Sequence, residues 1–208
     1  MRLAQWTMRR PDSRRVFSRG LVAAGTVLLA IAATSLVRGA IARDAARTRW
    51  AELEAERSAR GGRSFVDPAA DWATAPGAPV ARLLIPKIAL DEVVVEGVDE
   101  SALRAGPGHM TGSAVPGDRG NSVLSAHRDR HFRSLGDLSV GDTLVTESGR
   151  GTVVWRVSRV RVVDADAAVL RGSPAPLLTL TTCWPIRYFG PAPDRLIVEA
   201  TPVVALGD

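Results

Sequence analysis

The chain has 208 residues, of which 24% are charged and 46% are hydrophobic, and its formal net charge is +5. This composition is typical of a folded protein and excludes a disordered one, and the length allows one domain of ordinary size plus appendages. The positive charge does not indicate a nucleic-acid partner, because much of it flanks one apolar N-terminal segment and no basic patch with interleaved aromatic residues occurs.

The apolar segment covers residues 20–37 and is interrupted only by Thr26, Thr34 and Ser35. A helix of this length spans about 27 Å, close to the thickness of the bilayer hydrocarbon, so the sequence predicts a single-pass transmembrane anchor. Arginines are denser before the segment than after it, which predicts that the N-terminus stays inside the cytoplasm. The rest of the chain is then expected on the outer side of the cytoplasmic (inner) membrane.

The same region has two features of a removable export signal. Residues 13–17, Ser-Arg-Arg-Val-Phe, resemble a twin-arginine signal, and residues 40–42, Ala-Ile-Ala, resemble a signal-peptidase site. We favour a retained anchor, because the apolar run is long and paired arginines are common by chance in so Arg-rich a segment. Whether the segment is a retained anchor or a cleaved signal, the remainder of the chain is expected to be exported.

After the apolar segment, residues 38–60 are rich in Ala, Arg and Glu and have Trp50 and Leu53 on one side. This pattern predicts a helical stalk, which a pair of glycines ends. The following residues are rich in Gly and Pro, as linkers are. The predicted organisation is a cytoplasmic basic tail at 1–19, an anchor at 20–37, a stalk at 38–60, a linker at 61–79 and a domain at 80–208.

From residue 80 onward, short apolar runs alternate with Gly, Pro, Asp and Asn, and no long helical pattern interrupts them. Short helical turns are predicted only near residues 100–104 and 132–135. Seven or eight short strands at this spacing are typical of a closed barrel or a sandwich, and the periodicity does not choose between the two. The predicted strands are residues 81–86, 90–97, 121–127, 142–148, 152–163, 177–183 and 195–203.

Three chemically active residues stand at the ends of these predicted strands. Cys183, the only cysteine, ends one strand, and Arg195 opens the next, so antiparallel pairing would make them neighbours; His127 ends a third strand. A thiolate is a strong nucleophile, a nearby guanidinium favours it and can bind an oxyanion, and a histidine can carry the proton. A lone cysteine in an exported chain forms no internal disulfide, and this placement favours a reactive thiol over an inert core residue.

Strand alternation divides the cysteine strand into two faces. Side chains reverse at every residue along a strand, so one face carries Leu178, Leu180 and Thr182, and the other carries Thr179, Thr181 and Cys183. One face is expected to pack in the core and the other to line a groove.

The two other histidines compete with His127 for the role of base. His109 follows Gly-Pro-Gly in a predicted turn and His131 lies in a very polar stretch, so neither ends a strand and His127 is favoured. Three histidines, one cysteine and several aspartates could also bind a metal, but the paired, closely spaced ligands of structural zinc are missing from the sequence. We therefore predict no metal and no cofactor.

The sequence around these residues resembles the sortase family of cysteine transpeptidases, and within it the class D type of Gram-negative bacteria. Most relatives have glycine before the histidine, where this chain has Ala126, and the added methyl group leaves the imidazole in place. The resemblance covers roughly residues 80 to 202 and rests on the segments 84–88 (LIPKI), 94–98 (VVEGV), 106–109 (GPGH), 126–129 (AHRD), 179–183 (TLTTC) and 192–198 (APDRLIV).

This resemblance implies an eight-stranded sortase-like β-barrel with short helices and assigns catalysis to His127, Cys183 and Arg195. It implies that the substrate is an exported protein with a C-terminal sorting signal similar to Leu-Pro-x-Thr-Gly, cleaved between Thr and Gly. Thr182 and His109 are candidates for contacts with the bound peptide, together with the loops at 106–112 and 164–176.

The residue types define a two-step acyl transfer. Cys183 attacks a peptide carbonyl, Arg195 holds the oxyanion, and His127 gives a proton to the departing amine. A second amine then attacks the thioacyl-enzyme and loses its proton to His127. Two alternatives stay open: a cysteine peptidase that resolves the same intermediate with water, and a catalytically silent binding barrel on a membrane stalk.

Overall fold

The N-terminal part of the described chain is one long helix, α1 (Ser13–Ala59), which passes without a break from the predicted anchor into the predicted stalk. The predicted linker at 61–79 lies mostly outside the described residues. The structure, a computed structural model, describes residues 13–59, 75–167, 169 and 172–203.

The chain divides into two compact units, Met1–Gly39 and Ala40–Asp208. In the first unit, α1 exposes its apolar side chains, and the hydroxyls of Thr26 and Thr34 donate to the carbonyls four residues earlier at 2.9 and 2.7 Å. Their hydrogen-bonding needs are thus met within the helix, as a bilayer requires. Among the described residues, α1 is the one helix long and apolar enough to cross a membrane.

The second unit contains a closed barrel of eight β-strands, which confirms the predicted fold class. Neighbouring strands follow the order β1-β2-β3-β4-β7-β8-β6-β5, with β2–β3 and β4–β7 parallel and the other pairs antiparallel. A short helix, α2 (Glu100–Ala105), follows β2, and 3₁₀ turns cover Pro86–Ile88 and Leu135–Asp137. The strands are β1 (Pro79–Ile85), β2 (Leu90–Glu96), β3 (Gly108–His109), β4 (Asn121–Ser125), β5 (Thr143–Ser148), β6 (Gly151–Asp164), β7 (Leu177–Trp184) and β8 (Asp194–Pro202).

Strand β3 is absent from the sequence prediction, because two residues are too few to show an alternating pattern. It closes the barrel by pairing with β2 on one side and β4 on the other. A β-carbon at Gly108 would lie 2.2 Å from the carbonyl oxygen of Gly97. Glycine is therefore required for β3 to approach β2 so closely.

The barrel interior is filled by alternate residues of the strands, among them Leu178 and Leu180 of β7 and Val198 of β8. Trp155 is the largest fully buried side chain among those described, and its indole N–H donates to the hydroxyl of Thr146 at 2.8 Å. Each such apolar side chain stabilises the fold by about 1.5 to 3 kcal/mol relative to its exposed state. This core fixes which face of each strand points outward.

Candidate active site

The cysteine and the arginine are held by the pairing of the last two strands. Strands β7 and β8 run antiparallel, and Cys183 stands directly opposite Arg195. Residues opposite each other in such a pair project from the same face of the sheet. Leu196 packs in the barrel core, so Arg195 and its partner Cys183 face outward. The Cys183 thiol is free and half-buried, as a nucleophile that must meet a peptide requires.

The histidine lies just beyond the end of β4, on the other side of β7. Strand β4 pairs in parallel with β7 up to Ser125 and Thr181, and the N–H of Ala126 still donates to the carbonyl of Thr181 at 3.2 Å. The ladder ends here, and the same register extended by two residues would set His127 opposite Cys183. Ala126 packs in the core, so the imidazole, whose side chain is 32% exposed, projects from the outer face like the thiol.

The main chain of His127 is fixed by a tight turn. Its carbonyl accepts hydrogen bonds from the N–H groups of Arg130 and Phe132, at 3.3 and 3.2 Å. Phe132 is fully buried in the barrel core, which ties the turn to the fold. The backbone of the histidine therefore has a defined position although the strand has already ended.

The imidazole of His127 has a carboxylate partner, Glu100, on helix α2. His127 Nε2 lies 3.2 Å from Glu100 Oε2, and a second oxygen of Glu100 lies 3.5 Å from Arg104. The helix begins at Asp99, whose side chain accepts from the N–H groups of Ser101 and Ala102. The hydrogen bond from the Ser101 hydroxyl holds the pKa of Asp99 below its usual value. This cap orients the first turn, and with it Glu100.

A second arginine joins the histidine segment to the loop between β7 and β8. Arg128 donates to the carbonyls of Pro185 and Gly190 at 3.1 and 2.7 Å, and its guanidinium lies 5.6 Å from the ring centre of Tyr188. Gly190 has a φ of +99°, a conformation that glycine adopts without strain. Because this loop connects Cys183 to the strand of Arg195, Arg128 links all three predicted catalytic positions.

Glu100 and Arg128 are both absent from the sequence prediction. The contacts of Glu100 with His127, and of Arg128 with Pro185 and Gly190, join residues far apart in the chain, and local periodicity does not report such contacts. Only Arg128 has a signal in the sequence that points to the site, because it directly follows the predicted base.

The guanidinium of Arg195 also has a local hydrogen bond. Its Nη1 donates to the carbonyl of Asp194 at 3.1 Å, which keeps the side chain near the strand end. An arginine offers five N–H donors, so this contact leaves donors for an oxyanion at the Cys183 side.

The two peptide-contact candidates, Thr182 and His109, both have hydrogen-bond partners inside the protein. The Thr182 side chain is buried, and its hydroxyl donates to the Ala126 carbonyl at 2.7 Å, so it joins β7 to the residue before His127 instead of lining a groove. His109 is 3% exposed, with Nδ1 2.7 Å from Glu96 Oε2 and Nε2 2.9 Å from the Ala114 carbonyl. Both ring nitrogens have partners inside the protein, and the structure does not bring His109 to the site.

An open cavity of about 360 Å³ lies beside the nucleophile strand. Its walls come from the residues that follow Cys183, Trp184 to Arg187, and from the segment around the second 3₁₀ turn, including Ser134 and Asp137. Within the described part of the chain, no cluster of three or more His, Cys, Asp or Glu could hold a metal ion. The expectation that no cofactor is needed stays a prediction.

Comparisons with known proteins agree with this geometry. Residues 83–203 match the family model described as Sortase domain. Sortase D of Bacillus subtilis (strain 168) is 38% identical over 118 residues, which are 56% of this chain and 60% of that protein. This chain thus spans about 60% of the length of that curated relative.

Solved structures show the same similarity. A Clostridium perfringens Sortase D5 transpeptidase is 27% identical with a TM-score of 0.56, over 62% of this chain and 81% of that one. The catalytic domain of B. anthracis SrtD is 34% identical with a TM-score of 0.54, over 68% and 97%. Sortase C-1 of Actinomyces oris is 32% identical with a TM-score of 0.55, over 61% and 75%.

One part of the predicted resemblance is wrong. The chain was expected to be most similar to a class D type of Gram-negative bacteria, whereas the class D relative found is from Bacillus subtilis, a Gram-positive bacterium. The short motifs around the cysteine and the histidine reflect the chemistry of the site and carry no information on the envelope of the host cell.

Proposed function

This chain belongs to the sortase family, and from that premise we propose that it is a membrane-anchored cysteine transpeptidase. It cleaves a C-terminal sorting signal of the Leu-Pro-x-Thr-Gly type on an exported protein and transfers the acyl group to an amine acceptor. The observation that carries the proposal is the pairing of Cys183 with Arg195 at a strand end, next to β4, which leads to His127 on the other side of β7.

The first half-reaction forms a thioacyl-enzyme. The Cys183 thiolate attacks the carbonyl of the signal's threonine, and the Arg195 guanidinium binds the resulting oxyanion. His127, as imidazolium, gives its proton to the departing glycine amine, and the C–N bond breaks. Glu100 Oε2 lies 3.2 Å from Nε2 of His127, and this contact orients the imidazole before the step.

The second half-reaction reverses these roles. An acceptor amine attacks the thioester carbonyl, neutral His127 takes the amine's proton, and Cys183 leaves as thiolate when the new amide forms. Arg195 again holds the oxyanion. The reaction is ping-pong because the first product leaves before the acceptor amine reacts with the thioacyl-enzyme.

Helix α1 anchors the enzyme in the cytoplasmic membrane, with the N-terminus inside and the barrel outside. Its exposed apolar surface over residues 20–37 and its internally bonded threonine hydroxyls support this arrangement. The full-length protein is expected to stay in the membrane after an alkaline carbonate wash, and protease should reach the barrel only from outside. A soluble mature protein that begins at Arg43 would show cleavage after residues 40–42 instead.

The activity is tested with the full chain in detergent micelles and a peptide that carries the signal. With an added amine nucleophile we expect the amide product, and Cys183→Ala should give none. A product released only by water, even at saturating amine, would contradict transpeptidation and identify a peptidase. Absence of both the amide product and the hydrolysis product would contradict both.

A further inference from the structure

The outer face of β2 is covered by the stalk part of α1. Ala46 and Trp50 are only 7% and 8% exposed, and they form one hydrophobic cluster with Val93 and Val95 of β2 and with Ala102 of helix α2. Residues 40–59 belong to the same compact unit as the barrel. A helix that served only as a spacer would leave these strand residues exposed to solvent.

One helical turn earlier, charged side chains of the stalk reach a buried carboxylate. Glu92 Oε2 lies 3.8 Å from Nε of Arg43 and 3.5 Å from Nη2 of Arg47, and Arg47 also donates to the carbonyl of Asp91 at 3.2 Å. Burial raises the pKa of Glu92, but the hydrogen bond and charge of His131 and the two arginines outweigh it and hold the pKa below its usual value. Glu92 is therefore ionised and needs these cations.

His131 completes this cluster from the turn that follows the catalytic histidine. Its side chain is fully buried, with Nδ1 3.3 Å from Glu92 Oε1 and 3.5 Å from Nη2 of Arg43. The His131 and Glu92 side chains are 0% and 14% exposed, whereas that of Arg43 is 43% exposed, so the cluster is partly buried. Removing Arg43 leaves the ionised Glu92 with fewer cations. The stalk arginine thus helps to decide where the His131 ring lies.

Two routes lead from these stalk contacts to His127. His131 lies between Arg130 and Phe132, whose N–H groups both donate to the carbonyl of His127. On the other side, Trp50 packs with Ala102, and the helix of Ala102 carries Glu100, the carboxylate partner of the imidazole. The stalk therefore contacts the turn that holds the backbone of His127 and also helix α2, which holds the His127 ring through Glu100.

We propose that two stalk residues, Arg43 and Trp50, position His127 for proton transfer. The proposal rests on the proposed function in that it takes His127 as the acid and base. Neither residue touches the substrate. They act because His127 lies beyond the end of β4 and depends on the turn and on α2, and proton transfer is sensitive to displacements of about 1 Å.

The test uses the full-length enzyme in micelles and the variants Trp50→Ala and Arg43→Gln. For both we expect kcat to fall on the order of tenfold or more, with KM for the signal peptide changed less than about twofold. Arg49→Ala is the matched control, since Arg49 lies on the same helix and pairs with the exposed Glu52 at 2.9 Å. It should leave kcat unchanged. Trp50→Phe, which keeps an apolar ring, should recover most of the loss.

A spectroscopic measurement separates positioning from general loss of structure. The chain contains three histidines, so isotope labelling of the imidazoles gives a simple NMR spectrum in which His127→Gln identifies the catalytic ring. In Trp50→Ala and Arg43→Gln the His127 signal should shift or broaden. The signal of His109, which is held by Glu96 and Ala114, should stay in place and serves as an internal control.

The outcomes are distinct. If kcat and the His127 signal stay at parent values in both variants, the stalk does not position the histidine and the proposal is wrong. If Trp50→Ala also moves the His109 signal, that variant disturbs the fold, and Arg43→Gln decides by the same two readouts. Failure of the proposed function is recognised separately, because the parent enzyme would then form no amide product with the added amine.

Discussion

The two sides of the active site are held by different kinds of interaction. Cys183 and Arg195 are placed by backbone pairing of two long strands over a filled core. His127 stands past the end of a short strand and depends on a turn, on Glu100 and, in our proposal, on the stalk. The positions of Cys183 and Arg195, the strand side, therefore resist local change. The position of His127, the histidine side, can be altered by substitutions far from the reacting atoms.

The largest effect is expected on the strand side, from Cys183→Ala. The alanine fits the same strand position and adds no bulk, so the barrel should stay folded while the chain loses its only thiol. Formation of the thioacyl-enzyme, measured by mass spectrometry, should be abolished. Covalent turnover that persists in this variant would remove Cys183 from the mechanism.

Arg195→Lys tests whether the other strand residue acts by geometry or by charge. Lysine keeps the charge but loses the planar fork, so kcat/KM should fall by on the order of 10² to 10³, the loss typical of one deleted oxyanion donor. The pH profile of Cys183 alkylation is the control and should hardly move. Near-normal turnover would mean that Arg195 only biases the thiol toward thiolate.

The strand side was also the part that the sequence predicted well. The sequence predicts β7 and β8 at 177–183 and 195–203, and all four ends are found within one residue of those bounds. Both are long apolar runs, so core packing fixes them and their register together. Once the two runs pair antiparallel, Cys183 and Arg195 become direct neighbours.

The histidine side could be predicted only in part. Strand β4 was expected to reach His127 but ends at Ser125, because the turn to Phe132 takes over the backbone bonds. Glu100, Arg128 and the stalk contacts are long-range side-chain contacts, which no local pattern reveals. Strand alternation places Thr182 on the face opposite Cys183. The Thr182 hydroxyl is buried and donates to the Ala126 carbonyl, as expected for that inward face.

A smaller effect is expected from Arg128→Ala, which acts where the two sides meet. Loss of the bonds to Pro185 and Gly190 should free the loop between β7 and β8, and we expect kcat/KM to fall about tenfold. Arg156→Ala is the matched control, since Arg156 also donates to a backbone carbonyl, that of Gly141 at 3.4 Å, and lies on β6. Equal losses in the two variants would show that Arg128 has no special role.

The smallest effect concerns stability on the histidine side as a function of pH. Because the pKa of Glu92 is held below its unfolded value of about 4.5, its contribution is present above pH 4.5 and is lost as the pH falls through the folded-state pKa. Glu92→Gln should therefore cost about 1 kcal/mol of unfolding free energy at neutral pH, and less at pH 3. Denaturant titrations at several pH values measure this difference. A loss that does not depend on pH would exclude an ionic role for Glu92.

The way Arg128 holds its loop has a consequence for how new specificities could arise. Both hydrogen bonds end on backbone carbonyls, so they do not depend on which side chains the loop carries. Phe189, between the two anchored points, is fully exposed and can be replaced without disturbing them. The backbone of the loop is thus held while the Phe189 side chain is free to vary, and a library of substitutions at Phe189 tests whether this loop affects the choice of partner.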